Sequence, residues 1–138
     1  MATLNRDAPR LRWLRALVAA VVAEVVLACV AAPIFYKMGT NATHTLNLLV
    51  PPASFVVFVL AGWWAARPEP RNAVLTGALA GVWAVVLYIG LGFVASQFAR
   101  GTSVTDGFTT AYLLAHVLKI LGGALGGWLV SRSGERAA

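Results

Sequence analysis

The sequence predicts an all-α integral membrane protein, a bundle of four transmembrane helices, and three observations predict it. Composition is the first: 59% of the 138 residues are hydrophobic and only 12% are charged, outside the range of ordinary soluble domains. The second is arrangement, because the apolar residues fall into four runs, 13–36, 46–66, 73–98 and 108–130, each near the ~20 residues that cross ~30 Å of hydrocarbon. The third is the placing of the basic residues, most of which flank the runs. Arg6, Arg10, Arg12 and Arg15 gather at the start of the first, Arg67 and Arg71 separate the second from the third, and Arg132 and Arg136 follow the fourth. Only Lys37 and Arg100 fall in the other two connections. The positive-inside bias therefore puts both termini and the middle connection in the cytoplasm. A net charge of +6 then has a topological explanation, and nucleic acid is not expected as a partner.

The first span begins with Leu-Arg-Trp-Leu-Arg, residues 11–15, whose tryptophan and arginines suit a headgroup layer. Glu24 lies about 16 Å beyond Trp13 by helical rise, near the expected midplane. Pro33, Phe35, Tyr36 and Lys37 mark the far end, where the chain turns through Gly39 and Asn41. The second span carries Pro51 and Pro52, expected to kink it, and finishes at Gly62-Trp63-Trp64-Ala65-Ala66-Arg67. Arg67-Pro68-Glu69-Pro70-Arg71 reads as a short stiff turn. Gly77 and Gly81 give the third span a small-residue face, and Gly122, Gly123, Gly126 and Gly127 give the fourth the same property, so spans three and four are expected to pack closely there or to make a homodimer. Gly101 to Gly107 reads as a polar outer loop. The runs leave no room for a separate soluble domain, so residues 1–138 form a single membrane domain, and the compact Ala- and Arg-rich character points to a bacterial inner (plasma) membrane.

An offset of 65 residues brings Gly62-Trp63-x-x-x-Arg67 onto Gly127-Trp128-x-x-x-Arg132, Thr40 onto Thr105, Thr45 onto Thr110 and Leu48-Leu49 onto Leu113-Leu114. Two tandem hairpins in the same orientation would give this pattern. The halves differ at their ionisable positions: Glu24 aligns with Ile89, Pro51 with His116 and Ser54 with Lys119.

Glu24, His116 and Lys119 are the ionisable residues inside the apolar runs. A lone charge at such depth costs a few kcal/mol, so these side chains are expected to face the interior and pair. Lys119 lies about 13 Å from Trp128 by helical rise, level with Glu24, and the two meet if spans one and four are neighbours. His116 shares the helix face of Lys119 one turn away. Pro51, Pro52 and Tyr112 are the expected lining of an accompanying cavity. Ala23-Glu24-Val25, a lone glutamate midway along the first of four short spans, is similar to the small multidrug resistance transporters, in which that residue binds protons and cationic drugs within an antiparallel dimer. This chain departs from that pattern in its greater length, in Lys119 and in its one-way charge bias.

Other residues carry less. His44 reads as interfacial, and joint ligation with His116 places the two about 10 Å apart in depth. Glu69, Asp106 and Glu135 read as solvated loop carboxylates. Cys29, the only cysteine, excludes an internal disulfide and reads as a small buried apolar residue; Val26-Leu27-Ala28-Cys29 loosely resembles a lipoprotein signal, but Glu24 within the run argues against it. No catalytic triad, phosphate loop or metal-ligand cluster is visible, so neither an enzyme nor a metal or cofactor is expected. Three functions remain open: a non-enzymatic accessory or structural subunit that packs against itself or a larger membrane complex; a small proton- or cation-coupled transporter or channel working through Glu24, His116 and Lys119; and a lipid- or quinone-binding protein with its ligand near Pro51, Pro52 and His116. The residues favour the first on negative evidence.

Overall fold

The computed structural model describes residues 8–98 and 109–135, and these are all-helical, with no strand among the described residues. Four long helices dominate: α1 (Ala8–Met38), α2 (Ala42–Ala66), α3 (Ala73–Phe98) and α4 (Thr110–Glu135). Each is long and apolar enough to cross a membrane. The polar loop expected over Gly101 to Gly107, with Arg100, Asp106 and the start of the fourth run at Phe108, lies outside the described residues, as do Arg6 and Arg136.

The helix ends follow local chemistry. α1 stops at Met38, and Gly39 takes φ +54°, the left-handed conformation that a residue without a Cβ adopts freely at a helix terminus. A single 3₁₀ turn over Gly39–Asn41 then leads into α2. α2 continues through Pro51 and Pro52, and α1 through Pro33. After Ala66 the backbone turns, the Glu69 N–H donating to the Ala66 carbonyl, and a second 3₁₀ turn over Pro70–Asn72 opens α3. Glu69, expected as a solvated loop carboxylate, has a side chain 39% exposed, and its Oε1 accepts from Asn72 Nδ2 at 2.7 Å and lies 4.0 Å from Arg12 Nη1.

The helices run alternately up and down. α4 packs most extensively against α2 and α3, and α1 packs against the opposite side of the same two helices. α1 and α4 therefore stand on a diagonal, which corrects the expectation that the first and fourth spans are neighbours. Small residues line the α1 seam: Ala16, Ala19, Ala20 and Ala23 are buried against Ala65, Ala80, Ala84 and Phe58. The outside of the bundle is apolar, with Val22, Val25, Leu60, Leu75, Val86 and Leu129 all exposed. Cys29 belongs to this outer surface and is exposed. The reading of it as buried is corrected, since a small apolar side chain fits a lipid-like exterior as readily as a core.

Glycines set the spacing around α4. Gly123 sits between two helices: a Cβ added to it would strike the Gly77 carbonyl of α3, and one added to Gly62 of α2 would strike the Gly123 carbonyl. Gly127 lies against Ala73 and Gly81 against the Lys119–Ile120 backbone. Gly122 and Gly126 were also expected to face α3, but they face α2, against the backbones of Phe55, Val59 and Trp63. The reason is helical geometry: a step of one residue turns the side-chain position by about 100°, so adjacent glycines serve two different neighbours. Both glycine pairs thus allow main chain to approach main chain.

Candidate functional site

The site is assembled from the middle of α4. The close seat of Lys119 and Ile120 on Gly81 fixes that turn of α4 against α3, and from there the four-carbon stem of Lys119 crosses the diagonal. Its Nζ donates to Glu24 Oε1 on α1 at 2.5 Å. The Lys119 side chain is 5% exposed and the Glu24 side chain 26%, so Lys119 is enclosed while Glu24 keeps partial exposure. The path between α2 and α3 is lined with rings. Lys119 Nζ lies 5.8 Å from the centroid of buried Phe58 and 5.6 Å from that of Tyr88, within the range in which an aromatic face attracts a cation.

His116 stands one turn from Lys119 on α4 and is buried. It forms an aromatic cluster with Tyr112 on its own helix, at 4.3 Å between centroids, and with Tyr88 on α3, at 5.1 Å; the two tyrosines are 5.0 Å apart. All three contacts are edge-on, the arrangement that sets a positive ring edge against a negative face. His116 Nδ1 is buried and has no hydrogen-bond partner within the described protein. A buried nitrogen left in that condition costs about 1–3 kcal/mol unless a water or ligand meets it.

A cavity of about 250 Å³ lies between α2, α3 and α4, lined by Asn47, Pro51, Tyr88, Tyr112, His116 and Lys119 among others. A volume of that size with several polar walls accommodates a short chain of waters. On the other side of the ion pair, a second cavity of about 220 Å³ opens between α1 and α3, lined by Val21, Glu24, Val25, Leu87, Tyr88 and Leu91. Glu24 and Lys119 thus face different cavities, and Tyr88 borders both.

The structure therefore brings Glu24, Lys119, His116, Tyr112 and Pro51 into one region. Pro52 is exposed on the outer side of α2 and does not line the cavity. His44 is exposed and likewise absent from the lining. Sequence reasoning missed Tyr88 and Asn47. The signal for Tyr88 was present, a hydroxyl inside an otherwise apolar run, the same kind of signal that singled out Glu24. Among the described residues no group of three or more His, Cys, Asp or Glu side chains could hold a metal ion.

Compared with known families, curated proteins and solved structures, the chain shows no significant match. The local likeness at Ala23-Glu24-Val25 is carried no further by these comparisons, and the chemistry rests on the geometry of the site itself.

Proposed function

We propose that this is a multi-pass membrane protein, crossing a bacterial inner membrane four times, whose Glu24–Lys119 pair is a proton- or cation-responsive site serving a small coupled transporter or channel. One observation carries the reading: the ion pair stands against a cavity with polar walls on the Lys119 side, while the Glu24 side chain keeps partial exposure. A pair that only held helices in register would have no use for a polar cavity beside it. Lys119, an arriving proton and a cationic solute are then competitors for one carboxylate. When a proton or solute cation neutralises Glu24, the Lys119 ammonium loses its countercharge and its flexible stem lets it move toward Tyr88, His116 and the water of the polar cavity.

The orientation proposed places the start of α1, the Arg67–Asn72 turn and the end of α4 in the cytoplasm. In support, three guanidinium groups stack on indoles at that end: Arg15 over Trp64 at 5.1 Å, Arg67 over Trp63 at 4.0 Å and Arg132 over Trp128 at 4.2 Å. Positive charge and tryptophan together are what a cytoplasmic interface collects. The last two of these contacts occupy corresponding positions of the 65-residue repeat, which supports the tandem-hairpin reading.

Flux decides the matter. Vesicles containing the parent protein are expected to dissipate an imposed proton or cation gradient, read with a pH- or cation-sensitive dye, and Glu24→Gln vesicles to do so far more slowly. Parent vesicles as tight as protein-free ones would end the proposal.

A second reading, the accessory or self-associating subunit, has its own observation. Gly90 on α3 is exposed and Gly92 half-buried, and a Cβ at either would meet nothing within 4 Å. Open glycines on an apolar helix admit another helix at close range. If that reading holds, Gly90→Leu combined with Gly92→Leu converts a detergent-stable oligomer to monomer.

A further inference from the structure

A separate groove runs between α1 and α2. It encloses about 380 Å³ and is walled by Val18, Val22, Val26, Val57, Leu60 and Trp64 together with small alanines, with almost no polar surface. From Val18 to Val26 it follows α1 for about 12 Å by helical rise, close to the depth of one leaflet, half of a ~30 Å hydrocarbon core. At one end lies Trp64, and the Arg15 guanidinium is 5.1 Å from the Trp64 ring. Arg15 is three residues, or nearly one helical turn, before Val18, so it stands on the same face of α1 just beyond the apolar walls.

The Nε atoms of Arg15 and of Arg12 are buried and lack hydrogen-bond partners among the described residues. Glu69 lies 4.0 Å from Arg12, and its Oε1 also accepts from Asn72. Arg15 has no ion pair among the described residues. A buried guanidinium donor that lacks an acceptor, set at the mouth of an apolar groove, is half of a recognition site for an amphiphile with an anionic head. Guanidinium is suited to phosphate because its planar fork can give two parallel hydrogen bonds to two oxygens.

We propose that the α1–α2 groove binds one anionic glycerophospholipid of the leaflet on the arginine side, an acyl chain lying between Val18 and Val26 and the phosphate on Arg15 with Arg12 beside it. This inference rests on the membrane reading but not on any role of Glu24 and Lys119. The bound lipid would give the guanidinium groups an anionic partner and cover the groove in one step.

Native mass spectrometry of the delipidated full chain, with phosphatidylglycerol or phosphatidylcholine added at equal concentration, tests it. Phosphatidylglycerol is expected to be retained as a single adduct, favoured about fivefold over phosphatidylcholine, the effect of roughly one arginine–headgroup contact. Arg15→Gln should reduce that preference to near parity. Val22→Trp, at an exposed groove position outside the core, should lower retention of both lipids while circular dichroism still shows the folded helices. Equal retention of the two lipids by the parent would overturn the proposal, as would full competition by inorganic phosphate, which would indicate a free-anion site. Disulfide cross-linking of two Val22→Cys chains in a Cys29→Ser background would also overturn it, because a second copy would then cover the groove. Whether the chain stays with membranes after an alkaline wash is measured separately, so failure of the membrane reading is distinguishable from failure of the lipid site.

Discussion

The two halves of α4 make opposite use of the same two neighbours. From Ile120 to Gly127 the helix offers glycines, and α2 and α3 close on it until carbonyl groups stand where a Cβ would have to go. From Tyr112 to Lys119 it offers long polar and aromatic side chains, the neighbours are held further off, and a cavity of about 250 Å³ opens. The tight half is a fulcrum for the open half: Gly81 on α3 receives the Lys119–Ile120 backbone at the boundary between them. Rigidity at one end lets an expensive charge be placed accurately at the other, which is the general condition for a site built on scaffold elements.

Substitutions at the tight half should produce the largest effects. Gly123→Val drives a branched side chain into the Gly77 backbone with no room to rotate away, and we expect a loss on the order of 3 kcal/mol or more, or no folded product. Thermal unfolding in detergent reads it, and a stable Gly123→Val protein would show that α2, α3 and α4 are less closely joined than described. Next comes the ion pair. Lys119→Met alone leaves the largely enclosed Glu24 carboxylate without its partner, at a cost of roughly 3 kcal/mol. Adding Glu24→Gln should recover most of that loss, since a neutral pair no longer carries an uncompensated charge. Additive losses in the double mutant would mean that the two residues do not act on each other.

Smaller effects sharpen the contrast by changing its sign. Gly92→Ala introduces the same atom type that is ruinous at Gly123, but into open space on α3. It should raise stability by about 0.5–1 kcal/mol through helix propensity, unless a partner helix occupies that face, in which case the gain disappears and association weakens. Tyr88→Phe keeps the ring against His116 and Tyr112 and removes only the hydroxyl of a residue that lines both cavities. Stability should move by no more than ~0.5 kcal/mol, while the rate of gradient dissipation in vesicles falls. An unchanged rate would leave Tyr88 as packing alone.

Much of the axial order was legible in the sequence. The starts and ends of the helices follow from apolar run length, from Gly39 and from the Pro68–Pro70 turn, and helical rise alone put Glu24 and Lys119 at a common level. What was illegible concerns direction around each axis. Apart from the small-residue face at Gly77 and Gly81, α3 is apolar over most of its circumference, so little else on it announces a neighbour, and Cys29 on α1 has a side chain that suits an apolar exterior and a core equally. Gly122 and Gly126 were given the partner of Gly123 and Gly127 because spacing identifies a small face without naming what meets it. Pro51 and Pro52 are adjacent in sequence, yet one lines the cavity and the other lies outside it.

The sequence by itself determined the four apolar helices, their order and the common axial level of Glu24 and Lys119, because rise per residue is a property of the local backbone and needs no partner. Only the tertiary structure decided that α1 and α4 are diagonal, that Lys119 reaches across the bundle between α2 and α3, and that its carboxylate partner borders a separate cavity. Those outcomes depend on which faces pack together, and when lipid and protein interiors are equally apolar, that choice is made by shape: glycines that allow close approach on one side, and rings and charges that prevent it on the other.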